Sequence, residues 1–150
     1  MNATRTCQFA IVAERYDAAG GGAERNVTEV AHHLRDRGHR VTILAGETQG
    51  DAPNSVAIKS CPTGSPHTAI RLHQFMRWIE QRLTTGGFDA SLSVTSIAPA
   101  SVVQPLGGTV RATLDRNVAM RGSAIARCAK RATIRLNPKY QAAMRIEAQV

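Results

Sequence analysis

Gly20-Gly21-Gly22-Ala23-Glu24-Arg25 is the stretch of this chain whose residue types and spacing could do chemistry. A helix opening at Ala23 would leave its first backbone N–H groups without an internal partner, at the positive end of the helix dipole. Such an end accepts a phosphate or a carboxylate, and glycine lets the ligand reach the main chain. Three glycines also make a plain flexible turn, and the pattern alone leaves both readings open. Glu24 has a sufficient explanation in the dipole of the first turn. Arg25 is either an anion partner facing the ligand or an ordinary solvated helix residue.

Two familiar phosphate loops do not fit. The dinucleotide fingerprint G-x-G-x-x-G would use Gly20 and Gly22, but its third glycine falls on Arg25, and Glu14 to Ala19 separate the glycines from the preceding strand. The G-x-x-x-x-G-K-[ST] loop needs a lysine that is absent after Gly22. The loop therefore argues against a cofactor dehydrogenase and a P-loop ATPase.

The elements that must position the glycines are legible on either side. Phe9–Ala13 is a near-continuous apolar run, as in a strand covered on both faces. Val27, Val30, Ala31 and Leu34 form one helical stripe that ends at Gly38, a suitable left-handed cap. Val41–Ala45 is a second apolar strand, and Ser55–Ile58 a short third after a loop at Gly46–Asn54. Ser65-Pro66 predicts a helix start, and Leu72, Phe75, Met76, Ile79 and Leu83 an amphipathic helix closed by Gly86-Gly87. His73 and Trp78 fall off that stripe and read as surface residues. Phe88–Val94 and Ser101–Val103 read as two further strands. The sum is an α/β fold, a Rossmann-like parallel sheet with helices on both faces, Phe9–Ala13 central and Val41–Ala45 beside it. In such sheets ligands bind beyond the carboxyl ends of the strands, so the glycine loop and the Thr95–Pro99 loop are expected to face one crevice.

The run Gly21-Gly22-Ala23-Glu24-Arg25, followed by Leu34-Arg35-Asp36-Arg37-Gly38-His39-Arg40-Val41-Thr42-Ile43-Leu44, resembles the amino-terminal domain of family 4 glycosyltransferases of the GT-B fold. The likeness is specific over roughly residues 1–50 and topological to about residue 108. Beyond that the chain is broadly similar to the basic segment of lipopolysaccharide-core-type glucosyltransferases in the same family. The resemblance implies transfer of a sugar from a nucleotide-sugar donor to a glycan or lipid-linked acceptor, with retention of configuration, no resident cofactor and no metal. It implies that the backbone at Gly21 and Gly22, with Arg25, meets the donor diphosphate or the transferred sugar. Thr95 and Ser96 are acceptor-side candidates, although loop hydroxyls also serve local backbone. No residue takes a catalytic role on this sequence. A GT-B enzyme has two Rossmann-like domains, and the paired glutamates of the second have no counterpart here. The chain is accordingly expected to be an amino-terminal part that does not turn over alone, with residues 1–108 as the acceptor-side core and 109–150 as a basic helical segment before a donor-binding domain. The competing reading is a non-catalytic Rossmann-like anion-binding module with a basic tail.

Charge is concentrated at that tail. The chain has 19 Lys/Arg and 11 Asp/Glu, net +8. Residues 109–150 hold nine of the cations against only Asp115 and Glu147, a net of +7. A basic stripe serves nucleic acid, an anionic membrane or an acidic partner, or is simply a solvated face. Tyr140 is the tail's only aromatic, so bases have no stacking platform and nucleic acid is set aside. Ala124–Leu136 mixes apolar and basic residues at helical density, which suits peripheral, salt-sensitive contact with the inner face of a membrane. Cys7, Cys61 and Cys128 are odd in number and widely spaced, the usage of a reducing cytoplasm. Glu14 interrupts the first apolar run, so no signal peptide is legible, and the Asn2 and Asn26 sequons carry no meaning in that compartment.

Overall fold

The structure, a computed structural model, describes residues 5–50, 56–62 and 68–150. The apolar run Phe9–Ala13 lies in strand β1 (Gln8–Asp17), at the centre of a five-stranded sheet. β2 (Arg40–Gln49) flanks it on one side and β4 (Ala90–Ser93) on the other; β3 (Ala57–Ser60) and β5 (Val102–Val103) are the edges, giving the order β3-β2-β1-β4-β5. Every pairing is parallel. Helix α1 (Gly22–Asp36) connects β1 to β2, and α2 (Thr68–Thr85) connects β3 to β4. Helices α3 (Val110–Ala119), α4 (Ala124–Leu136) and α5 (Pro138–Glu147) follow β5.

The strand period sorts the core into two layers. Ile11, Val41, Ile43 and Ala45 meet Val27 and Ala31 of α1 on one face. Ala10, Val12 and Leu44 meet Leu72, Phe75 and Ile79 of α2 on the other. This is the Rossmann-like arrangement that the alternation of elements predicts. α1 ends as its sequence requires: Gly38 takes φ +85°, its N–H donates to Arg35 O at 2.8 Å, and His39 N–H reaches Leu34 O at 3.2 Å. Gly87, after α2, is likewise left-handed at φ +66°.

β1 and β2 run longer than the apolar runs indicate. Glu14–Asp17 is strand rather than loop, paired to β2 through Arg15↔Glu47, Tyr16↔Thr48 and Asp17↔Gln49, so Gly46–Gln49 is strand as well. Alternation changes phase within this extension. Tyr16, five residues from Ile11, is buried in the same layer as Ile11, and its hydroxyl lies 3.0 Å from Thr28 Oγ1. Backbones crowd at the shift, where a Cβ on Gly46 would fall 2.5 Å from Glu14 O, so only glycine fits. β3 lies at Ala57–Ser60, later than the Ser55–Ile58 reading; Ser55 and the Ser65-Pro66 helix start are outside the described residues. The β4 and β5 ladders are shorter than their apolar runs. Asp89, read as strand, instead accepts the Gln8 N–H at 2.8 Å and joins the sheet's lower edge. Trp78 is not a surface residue, since it packs against the α2 layer with its Nε1 buried and unpartnered among the described residues.

The two helices bounding Asn137 differ in kind. α5 contributes Ala142, Ala143 and Ile146 to the α2 layer of the core. Glu147, at its end, accepts the Val110 N–H at 2.6 Å and the Arg111 N–H at 3.4 Å, fastening α5 to the start of α3. α4 buries no residue.

Candidate functional site

The carboxyl ends of β1 and β4 open into a cleft of about 380 Å³. Ala13 and Val94 lie at its base, Thr95 and Ser96 on the turn after β4, Pro105–Gly108 at its rim, and Thr113, Lys139 and Ala143 on the wall made by α3 and α5. Ala23 brings the first turn of α1 to its edge. A neighbouring cavity of about 280 Å³ shares Glu14, Arg15, Leu72 and Lys139 with it and extends to Glu47 and Arg71. The site is therefore a two-part trough along the sheet edge where α/β folds hold ligands.

The trough's charges are unevenly matched. Arg71 pairs with Glu47, and Arg15 donates to Gln49 Oε1 at 2.9 Å while lying 3.9 Å from Asp17. Glu14 and Lys139 have no ion-pair partner among the described residues. The wall thus offers a carboxylate able to accept from hydroxyls and an ammonium able to donate to an oxyanion. On the turn, the buried Ser93 hydroxyl donates to Thr95 O at 2.8 Å, and Thr95 Oγ1 accepts the Ile97 N–H at 3.4 Å. Ser96 is buried within the cleft wall.

The helix starts differ in a way that bears on anion binding. Thr109 caps α3 by accepting the Ala112 N–H at 3.2 Å, Ser123 caps α4 through Ala126 N–H at 3.1 Å, and Asn137 caps α5 through Lys139 N–H at 2.9 Å. Gly21 caps α1 with extended backbone and no side-chain bond. The free N–H groups at that turn are left to water or a ligand. Within the triple glycine, Gly20 is fixed by packing, because a Cβ there would meet Asp17 O at 2.9 Å and the Glu24 side chain at 2.7 Å. At Gly22 a Cβ would meet nothing within 4 Å. Arg25 is exposed, with its Nε 2.9 Å from Glu29 Oε1 one helical turn on.

The structure thus brings Thr95 and Ser96 together in the cleft wall, while Gly21, Gly22 and Arg25 are not among its lining residues. β1 runs four residues past Ala13 before the glycine loop, whereas β4 ends level with Val12. Ala23, next to Gly22 in the chain, lines the cavity together with Thr95 and Ser96. Sequence reading missed Glu14, Arg15 and Lys139. Asn137 as cap and Pro138 at the helix start put Lys139 in the first turn of α5, but nothing local signals that α5 docks on α2.

A family model for glycosyltransferase family 4 matches residues 20–114, from the first loop glycine into α3. The chain belongs to glycosyltransferase family 4. No curated protein matches it. Among solved structures it is similar to WaaG, described as a glycosyltransferase involved in lipopolysaccharide biosynthesis, with TM-score 0.71 and 19% identity. The likeness covers 93% of this chain and 34% of that one, so the chain spans about a third of that structure's length. It confirms the fold expected of the amino-terminal half of a GT-B protein, within which the family model takes in the glycine loop, the β4 turn and the start of α3. Among the described residues no three His, Cys, Asp or Glu side chains are grouped to hold a metal ion, and no helix is long and apolar enough to cross a membrane.

Proposed function

We propose that this family 4 domain is the acceptor side of a GT-B glycosyltransferase that moves a sugar from a nucleotide-sugar donor to a glycan or lipid-linked acceptor, with retention and without a resident cofactor. The uncapped start of α1 carries the reading: alone among the four helix starts whose caps are described, it has no side chain on its free N–H groups. In this reading the amides at Gly21 and Gly22 meet the donor diphosphate or sugar, with Arg25 one turn away as a further cation. The acceptor lies in the trough, with Thr95 and Ser96 on one wall and Glu14 and Lys139 on the other. Residues 1–108 form the acceptor-side core and 109–150 a basic segment leading to a donor-binding domain, and the +7 tail holds the protein peripherally at the inner face of a membrane.

The loop is tested by titrating the chain with pyrophosphate and with UDP-glucose while following backbone amide resonances. The expected result is saturable shifts at residues 21–25. Gly22→Val should weaken them at least tenfold, because the added bulk fills the approach to the amides. Its denaturant midpoint should hardly move, since the position is open and φ is not positive there. Shifts unaltered by Gly22→Val, or none in the parent chain, would reduce the loop to a turn.

A further inference from the structure

Of the three cations that line the trough, two are matched and one is not. Arg71 is paired with Glu47, and Arg15 donates to Gln49 Oε1 at 2.9 Å with Asp17 at 3.9 Å. These two also line a more open cavity of about 560 Å³ alongside, which adds the hydroxyls of Thr48 and Ser60. Lys139 lines both parts of the trough and has no ion-pair partner among the described residues. Glu14, in the carboxyl half of β1, lines the same two parts and is also unpaired. Two opposite charges thus border one space without meeting.

The helix does not account for Lys139. It stands in the first turn of α5, where the helix dipole disfavours a cation. α3 carries Arg111 at the same place, but there the Glu147 carboxylate accepts the Val110 N–H at 2.6 Å and the Arg111 N–H at 3.4 Å and supplies negative charge. The first turn of α5 has no acidic residue, and its cap, Asn137, is neutral. A bare anion would fit poorly beside Lys139, because Glu14 on the same walls repels it. A neutral sugar would leave the ammonium unmatched. A sugar with one acidic group satisfies both charges, a hydroxyl donating to Glu14 and the acidic group accepting from Lys139. Leu72, which lines both parts of the trough, adds an apolar surface for the C–H groups of the ring.

We propose that the acceptor is an acidic saccharide, its phosphate or carboxylate received by Lys139 and a hydroxyl of the same sugar by Glu14. The proposal rests on the acceptor-side reading above and deepens it, from a glycan of any kind to one with an anionic group on the sugar held between β1 and α5.

The test is titration of the full chain with glucose 6-phosphate, glucuronate, glucose and inorganic phosphate, following backbone amide resonances. An acidic sugar should shift Glu14, Thr95, Ser96 and Lys139 saturably and bind at least tenfold more tightly than glucose or phosphate. A preference shown by only one of the two acidic sugars supports the proposal and names the group. Lys139→Gln should erase the preference and Lys139→Arg restore most of it. Arg135→Gln removes the same charge from α4, outside the trough, and should leave the preference unchanged. These variants alter only exposed side chains, so unchanged circular dichroism is expected. Glucose binding at the trough as tightly as the acidic sugars, or a preference that survives Lys139→Gln, would overturn the acidic acceptor while leaving the acceptor-side reading intact. Phosphate binding as tightly as glucose 6-phosphate would make Lys139 an anion site without a sugar and overturn the proposal. An equal loss in Arg135→Gln would assign the preference to net charge, with the same consequence. Absence of trough shifts with every sugar would overturn both readings.

Discussion

Helices α4 and α5 stand on either side of one residue, Asn137, both mix alanines with basic residues, and meet opposite fates. α5 sends Ala142, Ala143 and Ile146 into the core, whereas α4 sends nothing. Amphipathic pattern does not separate them, because α4 has the cleaner apolar stripe of the two. What separates them is docking geometry: α5 packs Ala142, Ala143 and Ile146 on the α2 layer, and Glu147 ties its end to α3, which leaves α4 to bridge the outside. A stripe at helical spacing therefore reports that a face wants an apolar neighbour, and not which neighbour it gets.

The comparison is broken or sharpened most strongly by truncation in the two helices. Ile146→Ala, at 1% exposure, should cost about 2–4 kcal/mol in urea denaturation, while Ile125→Ala should stay within about 0.5 kcal/mol. Equal losses would mean that α4 carries core after all. A smaller effect, about 1 kcal/mol, is expected for Glu147→Gln, which weakens the charged acceptor at the start of α3; a thermal or denaturant midpoint reads it. Smallest in global terms is Ser123→Ala. It removes the cap on Ala126 N–H and should speed amide hydrogen exchange along α4, with the unfolding midpoint unchanged, because no core depends on that helix. A drop in the midpoint as large as that of Glu147→Gln would erase the distinction between the two helices.

Much of the sheet was legible because its strands are covered on both faces and so read as plain apolar runs. Phe9–Ala13 and Val41–Ala45 were placed as neighbours at the centre, and they are. The same rule failed past Ala13, where Glu14-Arg15-Tyr16-Asp17 is paired strand but three of its four residues are charged. Periodicity could not register it, since the phase shifts there and the close backbone contact depends on a glycine more than thirty residues away in β2. Trp78 was misplaced for a related reason: an indole can lie off a helical stripe and still lean onto the core. Thr95 and Ser96 line the trough because they follow the end of a strand, a position legible in sequence, whereas Lys139 reaches its wall only through the packing of α5, a long-range contact without local signature.

The bond from Glu147 back to Val110 joins residues 37 positions apart and makes a closed loop of everything between them. A helix strung on a free tail would swing and turn on its own, so that contact made by it would say nothing of where the rest of the molecule points. α4 is instead mounted like a keel, braced at both ends on a frame that shares its far side with the sheet. Whatever surface it rests on also sets the tilt of the strands and the heading of the trough above them.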